Sequence, residues 1–229
     1  FLGHAPFSAG NTDTAEQVLI DAAQTFQASG HTMAGLNARH YLAQLRVLQG
    51  RLHEAGEIYE QAIEFAGKGG TTVYSGVEYV GLGGLLREWN QLDAAAVEIQ
   101  KGLELAEKGG FILTLMDVYL ARVRLALSQK DWEAAWMYIQ KAEQLARRSS
   151  TSIEIAYLQT WRARLNLAQG KRAEAESWAE IVEVEMKGTE VTGPFDPMRE
   201  FALLTLARVW LAQGKADQAA TLLERVRIG

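Results

Sequence analysis

A short turn recurs along the sequence at intervals of about 40 residues. Stepping 40 residues back from the first complete copy reaches Gly10 in FSAGNTDTA, which is interpreted as a sixth, partly truncated copy. A chain with this period folds as a series of similar units, and each unit buries its apolar face against its neighbours. The five complete turns lie 40, 40, 40 and 44 residues apart, at Gly50, Asn90, Lys130, Gly170 and Gly214.

Small residues recur at fixed offsets from these turns. Alanine stands five residues after each of the six turns, and glycine, alanine or valine stands seven residues before and twelve residues after. Small side chains at a repeated position let two helices approach closely. We therefore expect Ala55, Ala95, Ala135 and Ala175 to be buried where two helices meet.

Each copy is predicted to be a pair of antiparallel helices joined by the turn. Apolar residues recur three and four positions apart, as in Ile58, Ala62, Phe65 and Ala66, which is the spacing of one helix face. No segment alternates apolar and polar residues without also fitting the helical period, so we expect no strand. The pattern predicts an all-α solenoid of about eleven helices with a period of ~40 residues.

We expect a single helical-repeat domain over residues 1–229. The sequence begins Phe1-Leu2-Gly3 without an initiator methionine, so we also expect it to be part of a longer protein. Connectors rich in glycine, serine and threonine separate the copies, and the last of them ends at Pro197, a residue that favours a helix start. The predicted boundaries are a partial repeat over 1–30 and repeats over 31–70, 71–110, 111–150, 151–187 and 194–229.

Composition excludes several classes of protein. The 23 basic residues against 28 acidic ones argue against direct binding to a nucleic-acid backbone, which needs a basic surface. The sequence has no cysteine, so it forms no disulfide and no thiolate metal site. No apolar run approaches the ~20 residues that span a bilayer. We expect a cytoplasmic protein without membrane contact.

The stretch GLGGLLREWN (81–90) superficially resembles a phosphate-binding loop. Such a loop needs a preceding strand and a following helix start, and the repeat places this stretch at the end of the first helix of a copy. We expect Gly83 to lie at a close helix contact. Gly84 has two interpretations, extra room on an open face or simple local tolerance of glycine.

No catalytic or metal-binding pattern is present in the sequence. The histidines are His4, His31, His40 and His53, and none has a second histidine at a ligand spacing such as H-E-x-x-H. There is no G-x-S-x-G nucleophile motif and no G-x-x-x-x-G-K-[ST] phosphate loop. We expect no enzyme, no cofactor and no metal, and neither ATP hydrolysis nor specific binding to duplex DNA.

Four phrases carry a resemblance to a known family. LGGLLREWNQLDAA (82–95), LARVRLALSQKDWEAA (120–135), WRARLNLAQGKRAEAESWAE (161–180) and REFALLTLARVWLAQGKADQAATLLERV (199–226) resemble the tetratricopeptide-like helical-repeat region of MalT-like, LuxR-family ATP-dependent transcription regulators. The resemblance implies a right-handed α-solenoid. It also implies a sensing arm that lies between a P-loop ATPase module and a helix-turn-helix domain, neither of which is in this sequence.

The resemblance further implies that the first helix of each pair lines a concave groove. Three arginines six residues before successive turns, Arg124, Arg164 and Arg208, would then form a ladder suited to carboxylates or phosphates. The alternative is that each forms a surface ion pair of little energetic weight, for example Arg124 with Asp117. The other groove candidates are Asn37, His40, Arg87, Asp117, Tyr157 and Thr160.

These patterns favour a non-enzymatic domain that binds a small-molecule effector or a protein or peptide partner in its groove. Two rival functions are a generic tetratricopeptide-type peptide-binding scaffold and an oligomerisation arm without a ligand. Self-association is compatible with each of the three. The residues themselves do not identify the effector.

Overall fold

The computed structural model describes residues 12–70, 72–149, 152–186 and 197–228, and these residues are almost entirely helical. They contain eleven α-helices, one short 3-10 helix and no strand, so the predicted all-α class and helix number are confirmed. The helices are α1 (Thr12–Ala28), α2 (Thr32–Leu48), α3 (Leu52–Lys68), the 3-10 helix (Thr72–Ser75), α4 (Gly76–Glu88), α5 (Leu92–Gly109), α6 (Ile112–Gln129), α7 (Trp132–Ser149), α8 (Ser152–Ala168), α9 (Arg172–Met186), α10 (Pro197–Ala212) and α11 (Ala216–Ile228).

In chain order, the helices of each unit fall into two alternating sets. We call α2, α4, α6, α8 and α10, which precede the turns, the first-row helices; the second-row helices α3, α5, α7, α9 and α11 follow the turns. Helix α10 begins at Pro197, as predicted. The predicted positions Gly3, His4 and Gly10, and most of the last connector, lie outside the described residues.

The chain divides into two compact units. Unit 1 ends at Tyr138, and unit 2 begins at Ile139. In unit 1, α1 packs on α2, α2 on α3, α4 on α5, and α6 on both α4 and α5. In unit 2, α8 packs on α9 and on α10, and α10 packs on α11. The organisation of residues 1–229 as one domain stays a prediction.

The predicted helix contacts are present in the described residues. Ala55, Ala95, Ala135 and Ala175 are each 0% exposed, so the predicted burial is confirmed. The fifth alanine of this register, Ala219, is 1% exposed. Ala55, Ala95, Ala175 and Ala219 belong to apolar clusters of buried residues, where a methyl group is small enough for two helices to approach closely.

Every described turn uses a residue in the left-handed conformation. The residues at 50, 90, 130, 170 and 214 have φ between 58° and 80°. After each, the next amide donates to the carbonyl five residues earlier, for example Arg51 to Arg46 at 2.8 Å and Asp131 to Ala126 at 2.9 Å. This pattern is the Schellman motif, which satisfies carbonyls at a helix end. Gly30, Gly70 and Gly110 also have positive φ, so in unit 1 the left-handed residue recurs every 20 residues, a half-period that the sequence analysis did not predict.

The glycine-rich stretch lies inside α4 and its neighbours explain two of its glycines. A Cβ at Gly83 would lie 2.5 Å from Ile99 Cγ1 and 3.1 Å from the Ala95 carbonyl oxygen, which confirms the close contact. A Cβ at Gly84 would meet nothing within 4 Å, so that position has room. A Cβ at Gly81 would overlap the Tyr59 ring, a constraint that the sequence analysis did not identify.

We predict that Ala95→Leu lowers the free energy of unfolding by ~1–3 kcal/mol, because added carbons at a fully packed contact force the helices apart. Urea unfolding measures this change. Ala94→Leu is the matched control, since the adjacent Ala94 is exposed and should change stability by less than ~0.5 kcal/mol. Equal effects of the two substitutions would contradict the packing register.

We also predict that Lys130→Gly raises the free energy of unfolding by ~1 kcal/mol. Lys130 has φ 58°, a conformation in which its Cβ is strained and a glycine is not. Asn90→Gly should give a smaller gain in the same unfolding measurement, because asparagine at φ 59° tolerates this region better than lysine does. A loss of stability in Lys130→Gly would refute this interpretation of the turn.

Candidate functional site

We call the position six residues before each turn the arginine column; in unit 2 it lies on two neighbouring first-row helices. Arg164 on α8 is half-buried, and its guanidinium carbon lies 5.6 Å from the centre of the Trp161 ring and 5.2 Å from that of Phe201. Arg208 stands at the corresponding position of α10 and is exposed. Stacking on aromatic faces orients a guanidinium. Arg164 is therefore held in position, whereas Arg208 projects into solvent.

Tyr157 belongs to the aromatic cluster that supports Arg164. Its ring is 8% exposed, and its centre lies 5.3 Å from that of Phe201 and 6.4 Å from that of Trp161. Thr160 is 2% exposed, and its hydroxyl donates to the Ala156 carbonyl at 3.1 Å. Both residues were predicted as groove candidates, and both lie in the interior of unit 2.

In unit 1, the remaining predicted residues lie on α2, α4 and α6. Arg124 and Asp117 are half-buried on α6, and Asn37 is exposed on α2. The Arg87 guanidinium forms an ion pair with the neighbouring Glu88. His40 on α2 is not an isolated surface residue, because its ring packs against Tyr41 and Tyr59 and its Nδ1 is buried.

A buried polar cluster is centred on His40. Its Nδ1 lies 3.9 Å from Oε1 of Glu78, a carboxyl on α4 that is 1% exposed. Tyr59 from α3 is 4% exposed and completes the cluster. His40 Nε2 lies 2.8 Å from the Gln44 amide nitrogen, and Gln44 occupies the arginine-column position of its own copy. Among the described residues, His40 Nδ1 and Glu78 Oε2 have no hydrogen-bond partner.

Burial controls the protonation of this cluster. Desolvation raises the pKa of Glu78 to about 8 and lowers the pKa of His40 to about 4. Desolvation, followed by the charge of Glu78, also raises the pKa of Tyr59 above its usual range. A buried carboxyl or imidazole resists charging because it has lost its water. Together, His40 and Glu78 therefore hold one proton between about pH 4 and pH 8.

The other copies have mainly apolar residues where this cluster has polar ones. The position of His40 is Val80, Leu120, Thr160 and Leu204 in later copies, that of Tyr59 is Ile99 and Ile139, and that of Glu78 is Val118 and Leu158. His40 was predicted as a groove residue, and neither Tyr59 nor Glu78 was predicted as part of a site. The signal was present in the sequence, because three polar residues interrupt columns that are otherwise mostly apolar.

A second feature of unit 2 is a cleft between α7 and α8. Its volume is about 180 Å³. Arg162 crosses the cleft and donates from Nη1 to the Glu143 carboxylate at 3.0 Å, and Leu158, which is 1% exposed, forms part of the lining. The lining residues are Glu143, Arg147, Ile155, Leu158, Gln159 and Arg162.

Arg46 on α2 is a buried arginine that joins helices. It is 6% exposed, and its guanidinium pairs with Glu16 of α1 and lies 3.3 Å from Glu54 of α3. The hydrogen bond from Arg46 is the largest cause of the lowered pKa of Glu16. This network fastens α1 to the first helix pair and is structural.

The two rows of helices differ in charge. The first-row helices contain nine arginines, no lysine and five carboxylates. The second-row helices contain seventeen carboxylates against nine basic residues. Glu78, one of the five first-row carboxylates, is buried with a raised pKa, so the imbalance between the rows is larger at neutral pH. The first-row helices therefore carry a net positive charge and the second-row helices a net negative charge.

Solved structures with the same fold define the class of protein. The chain is 17% identical to BtubC from P. vanneervenii, with a TM-score of 0.61 over 95% of this chain and 90% of that one. It is 20% identical to a putative kinesin light chain from Podosopora anserina with TPR-like repeats, with a TM-score of 0.54 over 84% and 93% of the two chains. These similarities show a TPR-like helical-repeat fold.

The family follows from a match to the whole repeat region. The model of the MalT-like TPR region matches residues 1–227, so the chain belongs to this family. RapI, in its apo form, is a further structural neighbour at 12% identity, with a TM-score of 0.59 over 93% of this chain and 82% of that one. No curated protein matches the sequence.

Two negative observations apply to the described residues. No helix in the described ranges is long and apolar enough to cross a membrane. The same ranges contain no group of three or more histidine, aspartate or glutamate side chains that could hold a metal ion.

We predict that Gly81→Ala lowers the free energy of unfolding by ~1–3 kcal/mol, because the new methyl group overlaps the Tyr59 ring. The cost should fall in a Tyr59→Ile background, since the next copy pairs Ile99 with Ala121 at the same two positions. A double-mutant cycle measured by urea unfolding tests this coupling.

Gly84→Ala is the control for that cycle. The position is open and helical, so alanine should be neutral or stabilise α4 by up to ~1 kcal/mol. Additive effects of Gly81→Ala and Tyr59→Ile would contradict the proposed contact.

Proposed function

We propose that this chain is the sensing and interaction domain of a MalT-like, LuxR-family transcription regulator that acts in the cytoplasm. In this proposal the first-row helices bind an acidic segment of a regulatory partner, and the chain performs no chemistry of its own. The family match supports the regulatory role. The P-loop ATPase and helix-turn-helix modules of such a regulator would lie in the rest of the protein, and the sequence on either side of this chain tests that part directly.

The observation that carries the proposal is the charge difference between the two rows. All nine basic residues of the first-row helices are arginines, although the second-row helices contain both lysine and arginine. Arginine presents a planar fork of donors that fits a carboxylate with two parallel hydrogen bonds. A row that selects arginine suits recognition of carboxylates better than general solubility.

In unit 2, the proposed contact residues are Arg164 and Arg208. The rings of Trp161 and Phe201 hold Arg164, and Tyr157 supports those rings from the interior. Equivalent residues of neighbouring repeats are separated by roughly 10 Å, the usual distance between packed helices. That spacing favours an extended acidic segment over a single small anion.

In unit 1, the proposed contact residues are Arg87 on α4, Asp117 and Arg124 on α6, and Gln44 on α2. Gln44 takes the place of an arginine in the column and is held by His40. An amide is neutral and both donates and accepts hydrogen bonds, so this position suits a polar, uncharged part of the partner.

A small-molecule effector is the second candidate, and the cleft between α7 and α8 favours it. A space of about 180 Å³ admits a compound of only a few heavy atoms. Arg147 and Arg162 offer donors for an acidic group, and Leu158 offers an apolar surface. A generic scaffold or an oligomerisation arm would need no such polar cleft.

We predict that a glutamate-rich peptide labelled with fluorescein binds the purified chain and that Arg164→Ala or Arg208→Ala weakens binding by about tenfold or more, the usual worth of a charge-assisted hydrogen bond. Fluorescence anisotropy measures the affinity. Binding should weaken further as added salt screens the charges, with a Debye length of about 8 Å at physiological ionic strength.

Arg172→Ala is the matched control, because Arg172 is an exposed arginine on the second-row helix α9 of the same unit. It should leave the affinity unchanged. An equal loss in Arg172→Ala would indicate unspecific attraction. Loss of thermal stability in Arg164→Ala with unchanged binding would mark Arg164 as a structural residue, and tighter binding of duplex DNA than of the peptide would refute the acidic partner.

A further inference from the structure

The buried cluster of His40, Tyr59 and Glu78 is not needed to build a repeat. Later copies have valine, leucine or isoleucine at most of these positions. Gly81, which lies against Tyr59, is replaced in the next copy by Ala121. Four residues, two in each of two successive copies, therefore differ from their counterparts in later copies. Burying polar groups without hydrogen-bond partners costs stability, so their presence calls for a function beyond packing.

We propose that His40, Tyr59 and Glu78, seated against Gly81, form a proton-operated switch in unit 1, in which loss of one shared proton at mildly alkaline pH leaves a net charge in the interior and loosens α4 against its neighbours. This role is independent of the proposed binding of an acidic partner. The contacts that change are those of Glu78 on α4 with His40 on α2 and Tyr59 on α3.

The shared proton keeps the cluster electrically neutral. With the proton on the carboxyl, both groups are uncharged; with the proton on the imidazole, they form an ion pair at 3.9 Å. In either arrangement the net charge is zero. Removal of the proton leaves a carboxylate that is 1% exposed and faces a neutral imidazole and a phenol. A buried carboxylate without a cation is destabilising, and water entry around α4 relieves it.

Several charged groups on the elements around the cluster are engaged in contacts outside it. On α2, Arg39 stacks on Phe65, and Arg46 pairs with Glu16. On α5, Lys101 pairs with Glu98. The 3-10 helix Thr72–Ser75 has no charged residue. The remaining charged groups on the helices that pack on α4 are Arg87 and Glu88 on α4 itself, which pair with each other, Glu54, Glu57, Glu60, Glu64 and Lys68 on α3, Asp93, Glu104, Glu107 and Lys108 on α5, and Asp117, Arg122 and Arg124 on α6.

Counting protons gives the direction of the pH dependence. The folded pair holds one proton from about pH 4 to about pH 8, whereas the unfolded residues lose theirs near the ordinary values of 4.5 and 6.5. Between pH 4.5 and 6.5 both states hold one proton, and stability is flat. Between pH 6.5 and 8 only the folded state holds it, so stability falls as pH rises. One proton over this interval lowers the folding equilibrium constant roughly 30-fold.

The decisive experiment compares the pH dependence of unfolding in the natural chain and in Glu78→Gln. Urea unfolding of the natural chain should show the plateau below pH 6.5 and the roughly 30-fold fall above it. In Glu78→Gln only His40 of the pair still titrates. Because its pKa is lowered in the folded state, the free energy of unfolding should rise with pH up to 6.5 and stay flat above it. Identical profiles in the two proteins would overturn the proposal.

Three further measurements protect the test against a variant that fails to fold. Carbon NMR of Glu78 in the natural chain should show that the pair keeps its one proton until pH approaches 8. The proposal would be overturned if the Glu78 carboxyl lost its proton near pH 4.5 and His40 did not hold one in its place. The double variant H40L/E78V introduces the residues that later copies have at these positions. It should fold, and its stability should not fall above pH 6.5. Glu57→Gln, a change at an exposed carboxylate on α3, should keep the natural profile.

Hydrogen exchange locates the change within the fold. Amides of α4, and those of α2 and α3 that pack beside the cluster, should exchange faster between pH 6.5 and 8 after correction for intrinsic rates, whereas amides of unit 2 should not. Uniform acceleration of both units would indicate global destabilisation and would contradict a switch in unit 1.

Discussion

The close approach of two helices at a column of alanines is the contact on which the rest of this structure depends. Ala55, Ala95, Ala135 and Ala175 have no exposed surface, because the facing backbone occupies the space that a larger side chain would need. Left-handed residues then end each helix at a fixed point and reverse the chain. Once these two features repeat, the orientation of every other position follows. The same register places Arg164 and Arg208 at equivalent positions of two neighbouring first-row helices.

A repeated register also makes exceptions interpretable. In a single-copy domain, a buried glutamate has no internal standard of comparison. Here Glu78 is compared with Val118 and Leu158, which hold the same position in copies that fold without it. The arginines form the opposite case, because they recur at one position while the packing around them differs. We propose that the recurrence of arginine reflects a property of the first-row helices and that the departure at Glu78 reflects a local function.

The sequence predicted the helices, the buried alanines and the contact at Gly83, because each depends on periodicity along one helix pair. It did not predict the burial of Tyr157 or the constraint at Gly81. Both arise between successive copies: Phe201 covers Tyr157, and Tyr59 occupies the space beside Gly81. Periodicity shows which face of a helix is apolar, but the depth at which a ring sits depends on the size of side chains one repeat away. His40 illustrates the same limit, since its helical position gave its face and not its contact with Glu78.

The nearest-neighbour character of helical repeats explains how a polar cluster is tolerated. Each repeat packs only on its neighbours, so the cost of an imperfect interface stays local and is not spread through one common core. The first helix pair is additionally fastened to α1 by Arg46 and Glu16, on the opposite side of that pair from Glu78 in chain order. A change in the charge of the cluster therefore acts on an interface whose outer partner is held by separate ion pairs. Gln44 bonds directly to His40, so the part of the first-row surface that responds to this change is the part nearest α2.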